Sequence, residues 1–171
     1  MNHIVAEYKP FLTFLIENEL FAVEVIKVIE VLRNIEIYDV PKTEDYIKGI
    51  INFRGNVLTV IDTRKKINMP FNEVPDSQVI IVFETILNNK KVQIGALADK
   101  VVNVKQIIEN EIKEVPEFGN YYNPEFLLGA FKTGDEFAII LDIEKILSAD
   151  EVAVINEIQE SSSDKSPNSL A

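Results

Sequence analysis

Two aspartates, Asp62 and Asp142, each close an apolar run ("VLTVID" and "FAIILD") and stand 80 residues apart. Carboxylates held at strand ends are the groups a hydrolase would use as general acid and base. The same side chains also cap whatever turn or short helix follows, and with no surrounding motif the capping reading is the stronger one. The remaining inventory points the same way. The single histidine is His3, and cysteine is absent. That excludes a Ser-His-Asp or Cys-His nucleophile, a histidine metal cluster and disulfides. No glycine-rich phosphate loop of the GxGxxG or Walker type is present. The expectation is a protein with no catalysis, no metal and no other cofactor.

Charge narrows the partners. Formal net charge is −11, whereas a nucleic-acid binder is expected to carry a basic face. The longest basic run, Arg64-Lys65-Lys66, reads as a solvated turn after a strand. No apolar stretch approaches the roughly 18 residues that a membrane helix needs, and the N-terminal apolar run is broken by Glu17 and Glu19. We expect a cytoplasmic chain with no nucleic-acid partner and no direct membrane insertion.

Another residue placed for chemistry is Arg54, in "GIINFRGNVLTVIDTR" (49–64), where two apolar runs flank an Arg-Gly-Asn. An arginine at a hairpin tip offers a planar donor fork to a partner. The elements that carry it come in duplicate. "YIKGIINFRGNVLTVIDTRKKI" (46–67) parallels "FLLGAFKTGDEFAIILDIEKIL" (126–147), with Gly49 and Gly129, like the aspartates, 80 apart. The turn glycines Gly55 and Gly134 are 79 apart, which a one-residue shift in the hairpin accommodates. The counterpart of Arg54 lies near Thr133, so the duplicated architecture does not itself demand arginine there. Upstream, "KVIEV" (27–31) echoes "KVVNV" (100–104).

Each half therefore reads strand, turn, strand, strand, loop, strand, turn, strand, in short Val, Ile and Phe-rich runs that suit small all-β barrels. Taken as sequential units, subdomain 1 spans about 10–67 and subdomain 2 about 78–147, meeting in the Pro- and Asn-containing stretch 68–77. A C-terminal helix is expected over about 149–159, with "SADE" (148–151) as a capping box. Residues 160–171 have little to bury and read as a disordered tail.

The stretch 46–66 resembles the CheW family of bacterial chemotaxis coupling proteins, through Ile47, Lys48, Gly49, Asn52, Arg54, Gly55, Val60, Asp62 and Arg64. "FAVEVIKVIEVL", "VQIGALADKVVNV" and "FLLGAFKTGDEFAIILDIEKIL" extend the resemblance over roughly residues 10 to 158. Phe53, Thr59, Thr63 and Tyr46 depart from the usual pattern. The resemblance implies two packed five-stranded SH3-like barrels and a non-catalytic adaptor. Its implied partners are chemoreceptor cytoplasmic tips and the regulatory domain of the histidine kinase CheA, which would recruit the chain to membrane receptor arrays. With no receiver or kinase segment in the sequence, the free-standing adaptor is the expected form.

Carried over by position, the resemblance implies a receptor contact in a groove between the barrels, formed by Val28, Glu30, Gly49, Arg54, Gly95 and Val104. Read from the residues alone, Val28 and Val104 are equivalent core valines of the repeat. Gly49 and Gly129 answer a shared backbone need, and Gly95 permits close packing within a strand. The kinase-binding residues are unassigned. Two competing readings remain: a small acidic hydrolase using Asp62 and Asp142, and an SH3-like peptide binder. The second usually needs aromatic-lined grooves, and Trp is absent.

Overall fold

Tight hairpins set the strand register. Three of the four tips place two adjacent residues at positive φ: Glu17 and Asn18 (50° and 69°), Arg54 and Gly55 (51° and 84°), and Asn88 and Asn89 (51° and 62°). Such left-handed pairs match the twist of the strands they join, and asparagine and glycine tolerate them best. The computed structural model describes residues 7–69, 78–115, 123–146 and 149–163. The first half contributes β1 (Tyr8–Ile16), β2 (Glu19–Glu24), β3 (Val28–Arg33), β4 (Ile47–Phe53), β5 (Asn56–Ile61) and α1 (Thr63–Lys66). The second contributes β6 (Val79–Leu87), β7 (Lys90–Ala98), β8 (Lys100–Ile108), β9 (Leu127–Thr133), β10 (Glu136–Leu141), α2 (Ile143–Ile146) and α3 (Ala149–Ser163).

Two five-stranded sheets result, ordered β8-β1-β2-β10-β9 and β3-β6-β7-β5-β4. Replacing each strand by its counterpart in the other half turns one order into the other, so the repeat is real and the molecule has a pseudo-twofold axis. The expected sequential subdomains are corrected, however. Neither barrel is one half of the chain. Each half hands its strands to both sheets, and the sheets close through parallel joins, β2 with β10 and β5 with β7. The reason is burial. The middle residues of β2 and β7 are buried, so each strand needs a neighbour along both edges, and hairpin pairing supplies one alone.

The apolar core follows this interleaving. Phe11, Ala22, Phe131 and Ile140 fill one barrel, and Ile51, Leu58, Val60 and Val82 fill the other. A third, larger cluster lies between them, drawing Phe14, Phe21 and Leu141 from one sheet and Ile61, Ile81 and Phe83 from the other. Ile155 of α3 is fully buried in it. The helix runs to Ser163, four residues past the expected end, so the tail does not begin at 160. Ser148, the residues 164–171 and most of the 68–77 junction lie outside the described residues. No described helix is long and apolar enough to cross a membrane.

Gly49 and Gly129 share a backbone duty, as the repeat implies. Residues 38 and 113 each cross a neighbouring strand, bridging Ile50 and Ala130 by paired backbone hydrogen bonds of 2.8–2.9 Å. A Cβ on Gly49 would lie 2.4 Å from the Tyr38 carbonyl oxygen, and one on Gly129 2.8 Å from that of Lys113. The 79-residue spacing of the turn glycines has a different cause from the expected shift. Register places Phe53 opposite Asn56 and Thr133 opposite Glu136, so Arg54 corresponds to Gly134 itself. The glycine occupies the second turn position in one hairpin and the first in the other.

Gly49→Ala and Gly129→Ala should each cost about 2 kcal/mol or more, since backbone must move to admit the methyl. Gly55→Ala has open space and only the left-handed backbone to strain, a cost of about 1 kcal/mol. Urea denaturation of the three variants measures this order directly.

Candidate functional site

Among the expected contact residues, Glu30 and Arg54 meet. Their strands lie at opposite edges of one sheet, β3 at one end and the β4–β5 hairpin at the other. The curl of the barrel brings these edges together, and Arg54 Nη2 donates to Glu30 Oε2 at 3.0 Å across the seam. The tip is built for this. Asn52 Oδ1 accepts from the Gly55 N–H at 3.1 Å, and the guanidinium lies 4.9 Å from the ring centroid of Phe53, whose side chain is anchored in the barrel interior. Both charged groups stay wet, with side chains 64% and 41% exposed. An exposed pair contributes little to stability. The structure therefore orients a guanidinium at the seam and leaves most of it open to solvent.

The other expected residues divide. Val28 opens β3, half-buried against the core between the barrels. Gly49 is buried beneath Tyr38. Gly95 is buried at the β5–β7 join, opposite Val60, where a Cβ would lie 2.8 Å from Ile80 Cγ2. Both glycines thus shape the barrel that carries Glu30 and Arg54. Val104 lies on β8 of the other sheet, opposite Leu12 and 52% exposed. It is not the counterpart of Val28: Val28 pairs with Phe83 and Val101 with Phe14, which makes Val101 equivalent to Val28 and Val31 equivalent to Val104. Of that last pair, Val31 packs on the shared core and Val104 is turned to solvent, so the expected buried valine is absent.

The aspartates are caps. Asp62 Oδ1 accepts from the Arg64 N–H at 3.1 Å, and Asp142 Oδ1 from the Glu144 N–H at 3.1 Å. Their own N–H groups donate to the carbonyls of Tyr46 and Phe126, at 2.7 and 2.8 Å. They follow strands of different sheets, each occupied at its own helix start. Among the described residues no group of histidine, cysteine or carboxylate side chains is arranged to hold a metal.

The basic run after β5 is not a solvated turn. Arg64 is 3% exposed. Its Nη2 donates to Asp99 Oδ1 at 2.5 Å and its Nη1 lies 3.4 Å from Glu17 Oε1. The Lys66 ammonium lies 4.6 Å from the Tyr46 ring and 5.7 Å from that of Phe126. The signal lay in the apolar residues around the run, which give a four-residue helix one buried face. On the related side of the molecule, Lys27 Nζ bonds Glu144 Oε1 at 2.7 Å. That bond and the lysine charge hold the Glu144 carboxyl below the usual carboxylate range.

Residues 10–151 match the family model described as "CheW-like domain". A chemotaxis protein CheW of Klebsiella aerogenes is 31% identical over 153 residues, covering 90% of each chain. One from Thermotoga maritima is 29% identical over 136 residues, covering 80% of this chain and 85% of that one. The crystal structure of the scaffolding protein TtCheW from Thermoanaerobacter tengcongensis superposes with a TM-score of 0.72 at 28% identity, covering 85% of this chain and 96% of that one.

The two ion pairs should behave differently. Arg64→Ala empties a buried site and leaves the partly buried Glu17 and Asp99 carboxylates without their cation, and should cost about 3 kcal/mol, the lower end for a buried pair. Glu144→Gln should cost less than about 1 kcal/mol at neutral pH, because its pair is solvent-screened. A depressed carboxyl pKa stabilises the fold above its unfolded value and is lost as pH falls through the folded one. The wild type and Glu144→Gln should therefore converge below the usual carboxylate range, checked by urea titrations from pH 7 downward.

Proposed function

Since this chain belongs to the CheW-like domain family, we propose that it is a non-catalytic adaptor coupling chemoreceptors to the histidine kinase CheA in bacterial chemotaxis. It would work from the cytoplasm, recruited to receptor arrays at the membrane. The observation that carries the reading furthest is the Glu30–Arg54 pair, exposed at the barrel seam beside the half-buried Val28. Arg54 is oriented by its turn, by Phe53 and by Glu30, which lowers the side-chain entropy to be lost on docking. A receptor carboxylate or carbonyl at the seam would receive charge-assisted hydrogen bonds from it. Val28 and Val104 would add apolar contact, while Gly49 and Gly95 support the site from inside the barrel. Residues facing the kinase are not assigned. A hydrolase reading finds no support, because both candidate aspartates are engaged as caps in separate barrels.

Arg54→Glu tests the proposal. Stability should change by less than about 0.5 kcal/mol, while affinity for a receptor-tip fragment should fall about thirtyfold or more, the size of a 2 kcal/mol hot spot. Affinity for the CheA regulatory domain should change less. The charge exchange Glu30→Arg with Arg54→Glu rebuilds the ion pair in reverse and should still bind the receptor weakly. Full rescue by that double variant would mean the pair acts through the barrel and not through contact.

A further inference from the structure

Two ion pairs join the interleaved halves through equivalent helix positions and neighbouring positions of equivalent links, and their polarity is reversed. Arg64 on α1 reaches Asp99, in the link that carries the chain from β7 to β8. Glu144 on α2, 80 residues after Arg64, reaches Lys27, in the link from β2 to β3. Each helix also touches a strand element of its own half. Glu17, at the end of β1, is 3.4 Å from Arg64, and Thr85, on the equivalent strand β6, is 3.4 Å from Glu144. On one side the helix is the cation and the link the anion. On the other the roles are exchanged.

The interleaving gives this reversal a consequence. Every sheet is completed by strands of both halves, so the same joins could form between two copies, first half with first half and second with second. Apolar packing discriminates weakly against that, because equivalent positions of the shared core hold similar residues: Phe14 and Phe83, Leu12 and Ile81, Ile61 and Leu141. Charge discriminates well. In a pair of first halves, α1 would face the β2–β3 link. Arg64, 3% exposed, would keep Glu17 of its own half but lose Asp99 and meet Ile26 and Lys27 in its place, bringing a second cation into a site with one carboxylate left. In a pair of second halves, Glu144 would find Asp99 and Lys100 side by side, one repelling and one attracting. The discrimination thus sits in the first-half pairing. A closed dimer exchanged in this way contains both pairings, so penalising one penalises the dimer.

We propose that the reversed polarity of Arg64–Asp99 and Lys27–Glu144 directs each half of the chain to its own other half and excludes a second copy of this chain from like-with-like strand exchange. The inference rests on the strand order and these contacts, independently of the receptor reading.

The test is the double exchange Lys27→Glu with Glu144→Lys, at side chains 25% and 52% exposed. It keeps both pairs complementary within one molecule. It also gives Arg64 a carboxylate to meet in a pair of first halves. Wild type and variant are unfolded in urea, refolded over a range of protein concentrations, and sized by light scattering. The monomers should melt alike. The variant's dimer share should exceed the wild type's by roughly tenfold or more, the equivalent of about 1.4 kcal/mol, and its dimers should persist on dilution because they are interlocked. Lys27→Glu alone offers Arg64 the same carboxylate with one change and should also dimerise. Monomers at every concentration from both variants would overturn the proposal. So would equal dimerisation of the wild type, since exchange between unlike halves is open to both proteins.

Discussion

The parallel joins of β2 to β10 and of β5 to β7 are the constraint on which the rest of the molecule depends. Each is short, pairing Phe21 and Ala22 with Ile139 and Ile140, and Val60 and Ile61 with Gly95 and Ala96. Small residues mark equivalent places, Ala22 at one join and Gly95 at the other. Without these joins β2 and β7 would each present an unpaired backbone edge inside an apolar core, which costs far more than any surface contact returns. Neither half can satisfy its backbone alone. The core between the barrels, the crossing of residues 38 and 113 over Gly49 and Gly129, and the helix-borne ion pairs all follow from that obligation.

The joins also explain why polar groups here differ so much in weight. Arg64 is buried because α1 sets it between Glu17 of the β1–β2 turn and Asp99 of the β7–β8 link, and once buried it requires such carboxylates. Arg54 is exposed because a hairpin tip at the barrel seam has nothing above it. Two arginines ten residues apart therefore serve opposite ends. One is locked in place by Asp99 and Glu17, and the other is held lightly by Glu30 and kept in reach of solvent.

Much of the architecture was legible in the sequence. The strand content, the hairpins, the capping by Asp62 and Asp142, and the duplication are all written locally, in period, turn residues and spacing. Strand allocation was not. A repeat spaced by 80 residues is equally compatible with two separate barrels and with two interleaved ones, because period-2 patterning fixes a strand's buried face and leaves its neighbour open. The same gap misplaced Val104 against Val28: only the register with Leu12 and Phe83 settles which valines correspond. Arg64 reads as solvated because a basic run resembles an exposed turn until the Glu17 and Asp99 carboxylates brought beside it by the fold are known. Of the expected contact residues, Glu30 and Arg54 meet through the curl of a sheet whose edge strands they occupy, a closure that neither residue's local sequence announces.

The seam hairpin bears on valence. A pseudo-twofold scaffold offers every surface feature twice, and a faithful duplicate would display two identical docking tips. Here the tip of the β4–β5 hairpin carries Arg54 before its glycine, while the equivalent β9–β10 tip places Gly134 first and follows it with Asp135 and Glu136. One tip is cationic and the other anionic. A carboxylate ligand of the kind proposed for the first would be repelled by the second, so a scaffold built twice would present that tip once, and a linear one-to-one connection would be possible where a true dimer would cross-link.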